Sequence, residues 1–203
     1  MQFDHIAISG GTLAQATAHA EATLGVKLQT GGEHAQFHTH NMLLGLDDGL
    51  YLEALSVMPD APATGQPRMF GIDKFNGPAR LTNWICRCKD IDTTLAALPE
   101  GFGTPVSVAR GDFRWRMAVP ETGFLPFDNC APAFIEWQGD MHPAPLLTPS
   151  HCRLITLTVT HPDAMALHAM LAPHLNDDRI RFEIGPAALV ASFNTPSGPR
   201  ILR

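Results

Sequence analysis

Basic and aromatic side chains alternate within one segment of this 203-residue chain, residues 110–127. Arg114 and Arg116 would share one face of a strand, while Phe113 and Trp115 would share the other. Guanidinium groups bind carboxylates and phosphates through paired hydrogen bonds, and aromatic side chains line most small-molecule pockets. We predict that this segment forms the substrate wall of a pocket, with the contacts Arg110, Arg114, Trp115 and Phe127. The alternative is a surface hairpin whose aromatic face lies in the core.

Two histidines offer a second arrangement that could do chemistry. His38 and His40 are two residues apart on a predicted strand, so their imidazoles would project from one face, where they could hold a divalent cation. Exposed strand histidines would show the same spacing, so both interpretations stay open.

The four cysteines are predicted to be free thiols. They are Cys86, Cys88, Cys130 and Cys152. The N-terminal residues lack the basic and apolar regions of a signal peptide, so a cytoplasmic location is expected. Cys86 and Cys88 have no second Cys or His pair nearby at metal-finger spacing, so we interpret them as packing residues of a strand.

The composition excludes several classes of protein. Hydrophobic residues make up 45% and charged residues 17%, which is not the balance of a disordered chain. The net charge of −6 and the lack of a basic face argue against nucleic-acid binding. No apolar run reaches the roughly 18 residues of a membrane span, and no glycine-rich nucleotide fingerprint is present. The expected partner is a small molecule, with no nucleotide cofactor.

The order of predicted elements repeats along the chain. Residues 1–57 are interpreted as a first βαβββ module, 58–79 as a linker rich in proline and glycine, and 80–140 as a second module. Residues 151–203 follow as a third, divergent module. Within the first module, short strands are predicted at 35–38 and 41–46.

The first helix has clear local signals. Thr12 can cap its N-terminus, Gly25 can end it, and Leu13, Ala16, Ala20 and Leu24 form one helical stripe. The linker is expected to cover the surface with one helical turn near 69–75, and a strand is predicted at 113–119 in the second module.

Alternation along the first strand predicts which side chains share a face. Phe3, His5 and Ala7 would lie on one face, and Asp4 and Ile6 on the other. His5 and Asn83 hold equivalent positions before the first and second helices. The segments Tyr51-Leu52-Glu53 and Phe134-Ile135-Glu136 match in the closing strands.

A tandem βαβββ repeat resembles the vicinal oxygen chelate superfamily, which includes glyoxalase I, extradiol dioxygenases and the fosfomycin- and bleomycin-resistance proteins. The segments that carry the resemblance are Asp4-His5-Ile6-Ala7-Ile8, Thr39-His40-Asn41, Gly49-Leu50-Tyr51-Leu52-Glu53, Leu125-Pro126-Phe127 and Phe134-Ile135-Glu136-Trp137. They are most similar to the glyoxalase-like domain subfamily. The resemblance implies an α+β fold in which tandem modules form half-open curled mixed sheets, here with a third related module.

The resemblance also implies a site. The family's metal ligands occupy four positions, which here are His5, Glu53, Asn83 and Glu136. Such a set would hold Zn, Ni, Mn or Fe and leave positions open for substrate, although the neutral amide of Asn83 is a weak ligand. His40, within the matched segment, is expected in the cavity.

Two functions follow from the resemblance. The first is a divalent-metal-dependent isomerase or lyase of the glyoxalase I type, acting on a small oxygen-rich anionic metabolite. In it, Glu53 or Glu136 would be the general base. The second is a metal-free protein that binds or sequesters a small molecule, like the bleomycin-resistance proteins. The third module would cover a sheet edge or mediate a homodimer.

Overall fold

The computed structural model describes residues 1–203 as one curled sheet flanked by three α-helices. The helices are α1 (Leu13–Leu24), α2 (Ile91–Ala96) and α3 (Ala164–Leu171). The strands are β1 (Gln2–Ser9), β2 (Gln29–His34), β3 (Thr39–Leu46), β4 (Tyr51–Val57), β5 (Arg80–Arg87), β6 (Thr104–Arg110), β7 (Phe113–Val119), β8 (Ala133–Trp137), β9 (Pro149–Thr160), β10 (Ile180–Glu183), β11 (Ala188–Thr195) and β12 (Gly198–Leu202). None of the helices has the length and hydropathy that a membrane span requires.

The strand order relates the first two units by an approximate two-fold axis. The sheet runs β12-β11-β9-β3-β4-β1-β5-β8-β7-β6, with β2 beside β3 and β10 beside β9. β1 and β5 pair antiparallel at its centre, β4 runs parallel to β1, and β8 runs parallel to β5. The edge strands β2 and β6 contact each other, so the sheet curls into a half-open barrel. The predicted α+β class with curled mixed sheets is confirmed.

The third unit has the same element order but a different pairing. β10 lies parallel beside β9, whereas β2 does not pair with β1. β9 joins the rest of the sheet through a short parallel contact with β3. Its edge strand β12 leaves the side chain of Ile201 half exposed. A homodimer contact through this unit stays a prediction.

Local signals define the first helix as predicted. The Thr12 hydroxyl caps its N-terminus by accepting from the Gln15 amide, and Gly25 ends it in the left-handed region at φ 73°. Ala16, Ala20 and Leu24 form its buried stripe. The stripe packs α1 against the sheet, chiefly against β4.

The strand predicted at 35–38 is wrong. These residues form the turn between β2 and β3, in which His38 has φ 49°. The strand lies earlier, in β2, whose Gly31 and Gly32 do not look like strand residues in the sequence. Tertiary contacts override that weak local preference, since β2 pairs along β3.

The linker enters the core instead of only covering the surface. It forms one short 3₁₀ segment, Met69–Lys74, near the predicted helical turn. Met69, Phe70 and Ile72 are buried, and the Arg68 guanidinium contacts Asp73. The segment therefore brings an apolar side chain, Met69, to the inside of the barrel. The four cysteines are free.

Candidate active site

A small cavity of about 30 Å³ lies on the concave face of the sheet. Both units contribute to it: His5, Tyr51 and Glu53 come from the first, and Arg110, Trp115 and Trp137 come from the second. This volume has room for about two water molecules. Aromatic rings form much of its wall, since Trp115 and Trp137 lie with ring centroids 5.5 Å apart.

A β-bulge at Asp4 turns two successive polar side chains, those of Asp4 and His5, to the face of the sheet on which this cavity lies. Phe3 pairs with Cys86 and His5 pairs with Ile85, so Asp4 is an extra residue in β1. Such a bulge interrupts the alternation of faces along a strand. The prediction that Phe3 and His5 share a face is therefore wrong, and Phe3 packs edge-on against Trp84 on the other face.

The Asp4 carboxylate collects three N–H donors. It accepts from Nδ1 of His5 at 2.6 Å, Nε2 of His142 at 3.0 Å and Nε1 of Trp137 at 3.2 Å. Burial alone would raise the pKa of Asp4, but the hydrogen bonds from His142 and His5 outweigh it and hold the pKa well below its ordinary value. Asp4 is consequently a buried, ionised carboxylate.

This hydrogen bond fixes the orientation of His5. With Nδ1–H donated to Asp4, the tautomer assigned from the hydrogen bonds leaves Nε2 directed at the carboxylate of Glu53, 3.8 Å away. The ring also stacks on Tyr51, with centroids 4.2 Å apart. Burial and the nearby Asp4 and Glu53 charges raise the pKa of Tyr51 well above its ordinary value, so the phenol stays neutral.

Asn41 holds the other oxygen of Glu53. Its Nδ2 donates to Oε1 of Glu53 at 2.5 Å. Its Oδ1 accepts from the backbone N–H of Gly32 at 2.8 Å and from Nη1 of Arg110 at 3.2 Å. These two donors assign the orientation of the amide, because in the flipped amide the NH₂ group of Asn41 would face the N–H groups of Gly32 and Arg110.

Arg110 is the arginine of the cavity wall, and it has no carboxylate partner. Its guanidinium lies over the Phe113 ring at 5.4 Å and makes one hydrogen bond, to Asn41. By contrast, Arg116 pairs with Asp92 outside the cavity. Arg110 therefore has N–H donors left over for an anion.

The four predicted metal positions do not converge. Ala7 pairs with Glu53 on one side and with Asn83 on the other, and Ile85 pairs with Ala133. The two-fold axis exchanges β1 with β5 and β4 with β8. His5 is therefore equivalent to Asn83, Ala7 to Ile85, and Glu53 to Ala133.

Glu136 is three residues beyond Ala133, and this odd offset turns its side chain to the opposite face of the sheet. There its carboxylate accepts from the Ile91 amide at 2.9 Å and lies 3.4 Å from Arg116. The predicted catalytic and metal-binding contacts of Glu136 in the cavity are thus not found.

The remaining donors do not fit the family's metal site. Asn83 is fully buried on the face of His5, but it does not line the cavity and neither amide atom has a hydrogen-bond partner. Only His5 and Glu53 are left, and zinc sites in proteins use at least three side-chain ligands. No group of three or more His, Cys, Asp or Glu residues could hold a metal ion. We therefore derive no step through a metal.

The predicted substrate contacts divide between three places. Arg110 and Trp115 line the cavity. Arg114 is exposed and donates to the carbonyls of Gly111 and Phe113. Its odd offset from Trp115 places it on the outer face, so its predicted anion contact in the cavity is wrong.

His40 and Phe127 also lie outside the cavity. His40 neighbours Asn41 on β3, so it points to the other face, where Nε2 bonds to the Ser56 hydroxyl at 2.9 Å. Phe127 lines a separate, larger groove of about 980 Å³ beside β5 and β11. That groove contains neither His5 nor Glu53, so it is not the site of their chemistry.

Several residues of the site were not predicted from the sequence. His34, Asn41, Tyr51, Met69 and Trp137 line the cavity, and Asp4 and His142 lie behind its wall. Asp4 and Asn41 lie in the matched segments, and the adjacent Asp-His pair was the available signal. His34 comes from β2, where no strand was predicted. Burial, with Arg110 and His5 nearby, lowers the pKa of His34 despite the opposing Glu53 charge, so its ring is neutral.

Fold and site together define a curled-sheet protein with a small polar cavity between two related units. A family model described as a glyoxalase-like domain matches residues 3–175. The chain belongs to this glyoxalase-like domain family, and its predicted place in the vicinal oxygen chelate superfamily is confirmed. No curated protein matches the chain in sequence.

Solved structures are similar to the chain at low sequence identity. A hypothetical protein from Staphylococcus aureus is 17% identical, with a TM-score of 0.65 over 92% of this chain and 86% of that chain. A hypothetical protein from Bacillus halodurans C-125 is 16% identical (TM-score 0.44; 69% of this chain and 95% of that one). Methylmalonyl-CoA epimerase from Streptomyces coelicolor, solved with 2-nitronate-propionyl-CoA, is 18% identical (TM-score 0.41; 68% and 97%).

Proposed function

We propose that this protein is an isomerase or lyase that transfers a proton on a small oxygen-rich anionic metabolite. The observation that carries the proposal is the pair of His5 and Glu53, which face each other across 3.8 Å in a buried cavity. The other polar atom of each side chain is hydrogen-bonded: Nδ1 of His5 to Asp4, and Oε1 of Glu53 to Asn41. Two groups able to exchange protons, fixed side by side at the cavity wall, favour acid–base catalysis.

The residues of this chain divide the reaction between them. Glu53 removes a proton from the carbon beside a carbonyl or carboxyl group of the substrate, and the electron pair left on that carbon passes to the oxygen as an enolate. His5, in its protonated form, delivers a proton to the enolate oxygen or carbon. Asp4 stabilises the imidazolium that this exchange requires. The apolar walls of Trp115 and Trp137 exclude water, which strengthens these electrostatic interactions.

Arg110 supports an anionic substrate. Its free N–H donors suit a carboxylate, which it would bind as a charged pair at the cavity wall. Asn41 alone bridges Arg110 and Glu53, so the anionic group and the reacting carbon lie a few bonds apart. The small cavity favours the smallest such substrates. Hydroxy- and keto-carboxylates of about two to four carbons satisfy the charge requirement, and side chains of the wall must move to admit them, because the cavity itself has room for about two water molecules.

Hydrogen exchange in D₂O tests the proposal without knowledge of the natural product. Lactate, pyruvate and malate would each be incubated with the protein in D₂O, and the signal of the proton on the carbon next to the carbonyl or carboxylate group would be followed by ¹H NMR. We expect exchange of at least one of them above the rate without protein. Absence of exchange with every compound would contradict the proposed proton transfer.

Replacing Arg110 should separate anion binding from the rest of the site. In Arg110→Met we expect KM for the exchanging carboxylate to rise about 10- to 100-fold, because a hydrogen bond to a charged group contributes about 1.5–3 kcal/mol. Arg114→Met is the matched control, since Arg114 is exposed and bonds only to carbonyls. Equal effects of the two substitutions would exclude Arg110 as the specific anion contact.

A second candidate function is metal-free binding without turnover, as the bleomycin-resistance resemblance implies. The observation in its favour is that Ala133 stands where the two-fold axis would place a second carboxylate. Binding of a carboxylate, seen as a change in the fluorescence of Trp115 and Trp137, together with no exchange in D₂O would select this function.

Metal dependence has its own test. Protein purified without a metal-affinity tag and treated with EDTA should show the same exchange rate and Tm before and after addition of Zn²⁺, Ni²⁺, Mn²⁺ or Fe²⁺. The reason is that His5 and Glu53 leave a bound ion short of protein ligands. Stoichiometric metal by elemental analysis that disappears in His5→Ala would instead establish a metal mechanism.

A further inference from the structure

We infer that Asn41 is the positioning residue of the site and that the glycine pair Gly31-Gly32 fixes it there. The inference rests on the proposed function, in which Glu53 is the proton acceptor. It assigns a role to an amide and to two glycines that touch no reacting atom.

The first step concerns the amide itself. Nδ2 of Asn41 donates to Oε1 of Glu53 at 2.5 Å, which leaves Oε2 as the oxygen nearest to His5. Asn41 is 4% exposed and Glu53 is 7% exposed, so both side chains are shielded from bulk solvent. A buried carboxylate held at one oxygen has little freedom to turn, so its second oxygen stays directed at His5.

The second step concerns what holds the amide. Gly31 is the extra residue of a bulge, since Thr30 pairs with Met42 and Gly32 pairs with Asn41. A Cβ on Gly31 would overlap Oδ1 of Asn41. The bulge therefore brings the backbone so close to the amide that only glycine fits, and the next N–H, that of Gly32, donates to Oδ1.

The third step links the amide to the anion site. A Cβ on Gly32 would lie 2.7 Å from Cδ of Arg110, so the second glycine makes room for the arginine stem. Arg110 then donates to the same Oδ1 as Gly32. Because β2 of the first unit contacts β6 of the second, the glycine pair joins the anion contact of one unit to the proton acceptor of the other.

The kinetic test uses substitutions that leave Glu53 and Arg110 in place. Asn41→Ala and Gly31→Ala should each lower kcat for proton exchange about 100-fold, because a misplacement of about 1 Å costs this much. KM should change less than about threefold. Gly65→Ala is the matched control, since a Cβ there meets nothing within 4 Å, and its rate should equal that of the unchanged protein. A rise in KM at constant kcat would overturn the positioning role.

A second measurement does not depend on activity. Asn41→Ala, Glu53→Ala and the double variant are compared by Tm, and we expect the double variant to melt close to the less stable single variant. Additive losses of Tm would show that the two side chains are uncoupled and would overturn the inference. If the unchanged protein exchanges no proton while the coupling is found, the proposed function fails and the contact between Asn41 and Glu53 stands.

Discussion

Glu53→Gln should reduce the rate of proton exchange by about 10²- to 10⁴-fold, the range over which a positioned general base acts. The side-chain oxygen of glutamine can still accept from Asn41, so the fold and the cavity should be retained. What is lost is the oxygen that takes the proton from the substrate. The measurement is kcat by ¹H NMR in D₂O, with circular dichroism and Tm to establish that the variant is folded.

Glu136→Gln is the matched control for this substitution. It makes the same chemical change at a residue matched in the sequence, but Glu136 points away from the cavity and contacts the start of α2. We expect an unchanged kcat. If Glu136→Gln lowered the rate as much as Glu53→Gln, the assignment of the acceptor from sheet register would be wrong.

Asp4→Asn should have the largest combined effect on stability and rate. Three N–H donors point at Asp4, and an asparagine offers them one oxygen and an opposing N–H. Removing one partner of a buried charged group costs about 3–5 kcal/mol in free energy of unfolding. The His5 ring would lose the acceptor that fixes its tautomer, and asparagine in the equivalent role in a Ser-His-Asp triad lowers kcat about 10⁴-fold.

The loss of stability in Asp4→Asn should depend on pH in a defined direction. Because the pKa of Asp4 is lowered on folding, its carboxylate stabilises the protein fully above the unfolded pKa of about 3.9. That stabilisation is lost as the pH falls toward the folded pKa. The difference in free energy of unfolding between the unchanged protein and Asp4→Asn should therefore be largest above about pH 5 and shrink below about pH 4.

Urea denaturation at several pH values measures this difference. Asp128→Asn is the control, since Asp128 also faces a histidine, His161 at 3.3 Å, but is mostly exposed. An exposed pair of this kind contributes at most about 1 kcal/mol. A gap between the unchanged protein and Asp4→Asn that stays constant down to pH 2 would contradict a buried, ionised Asp4.

Elements whose signals lie within a few residues of one another were predicted well from the sequence. The cap at Thr12, the stop at Gly25 and the stripe of Ala16, Ala20 and Leu24 fix α1 by contacts within a few residues. The alternation in 113–119 gives β7 with the predicted bounds. The family, and with it the curled sheet, followed from the order of such elements.

Faces of strands were predicted poorly wherever a register shift intervened. The bulge at Asp4 moves Phe3 out of the cavity face and Asp4 into it. The match of Glu53 with Glu136 was wrong by three residues, and one odd slip is enough to carry a side chain to the opposite face. No local pattern in the sequence records these shifts, since hydrogen bonding between distant strands sets them.

By itself the sequence determined the element order, the α+β class, the family and the presence of His5, Glu53, Arg110 and Trp115 as candidates for one site. Those results follow from periodicity, turn chemistry and an ordered set of motifs. Only the tertiary structure decided which candidates meet. It joined Glu53 to Asn41 and Asp4 to His5, and it turned Glu136, Arg114 and His40 away. The reason is that strand pairing and bulges fix the direction of a side chain, and both depend on residues far apart in the chain.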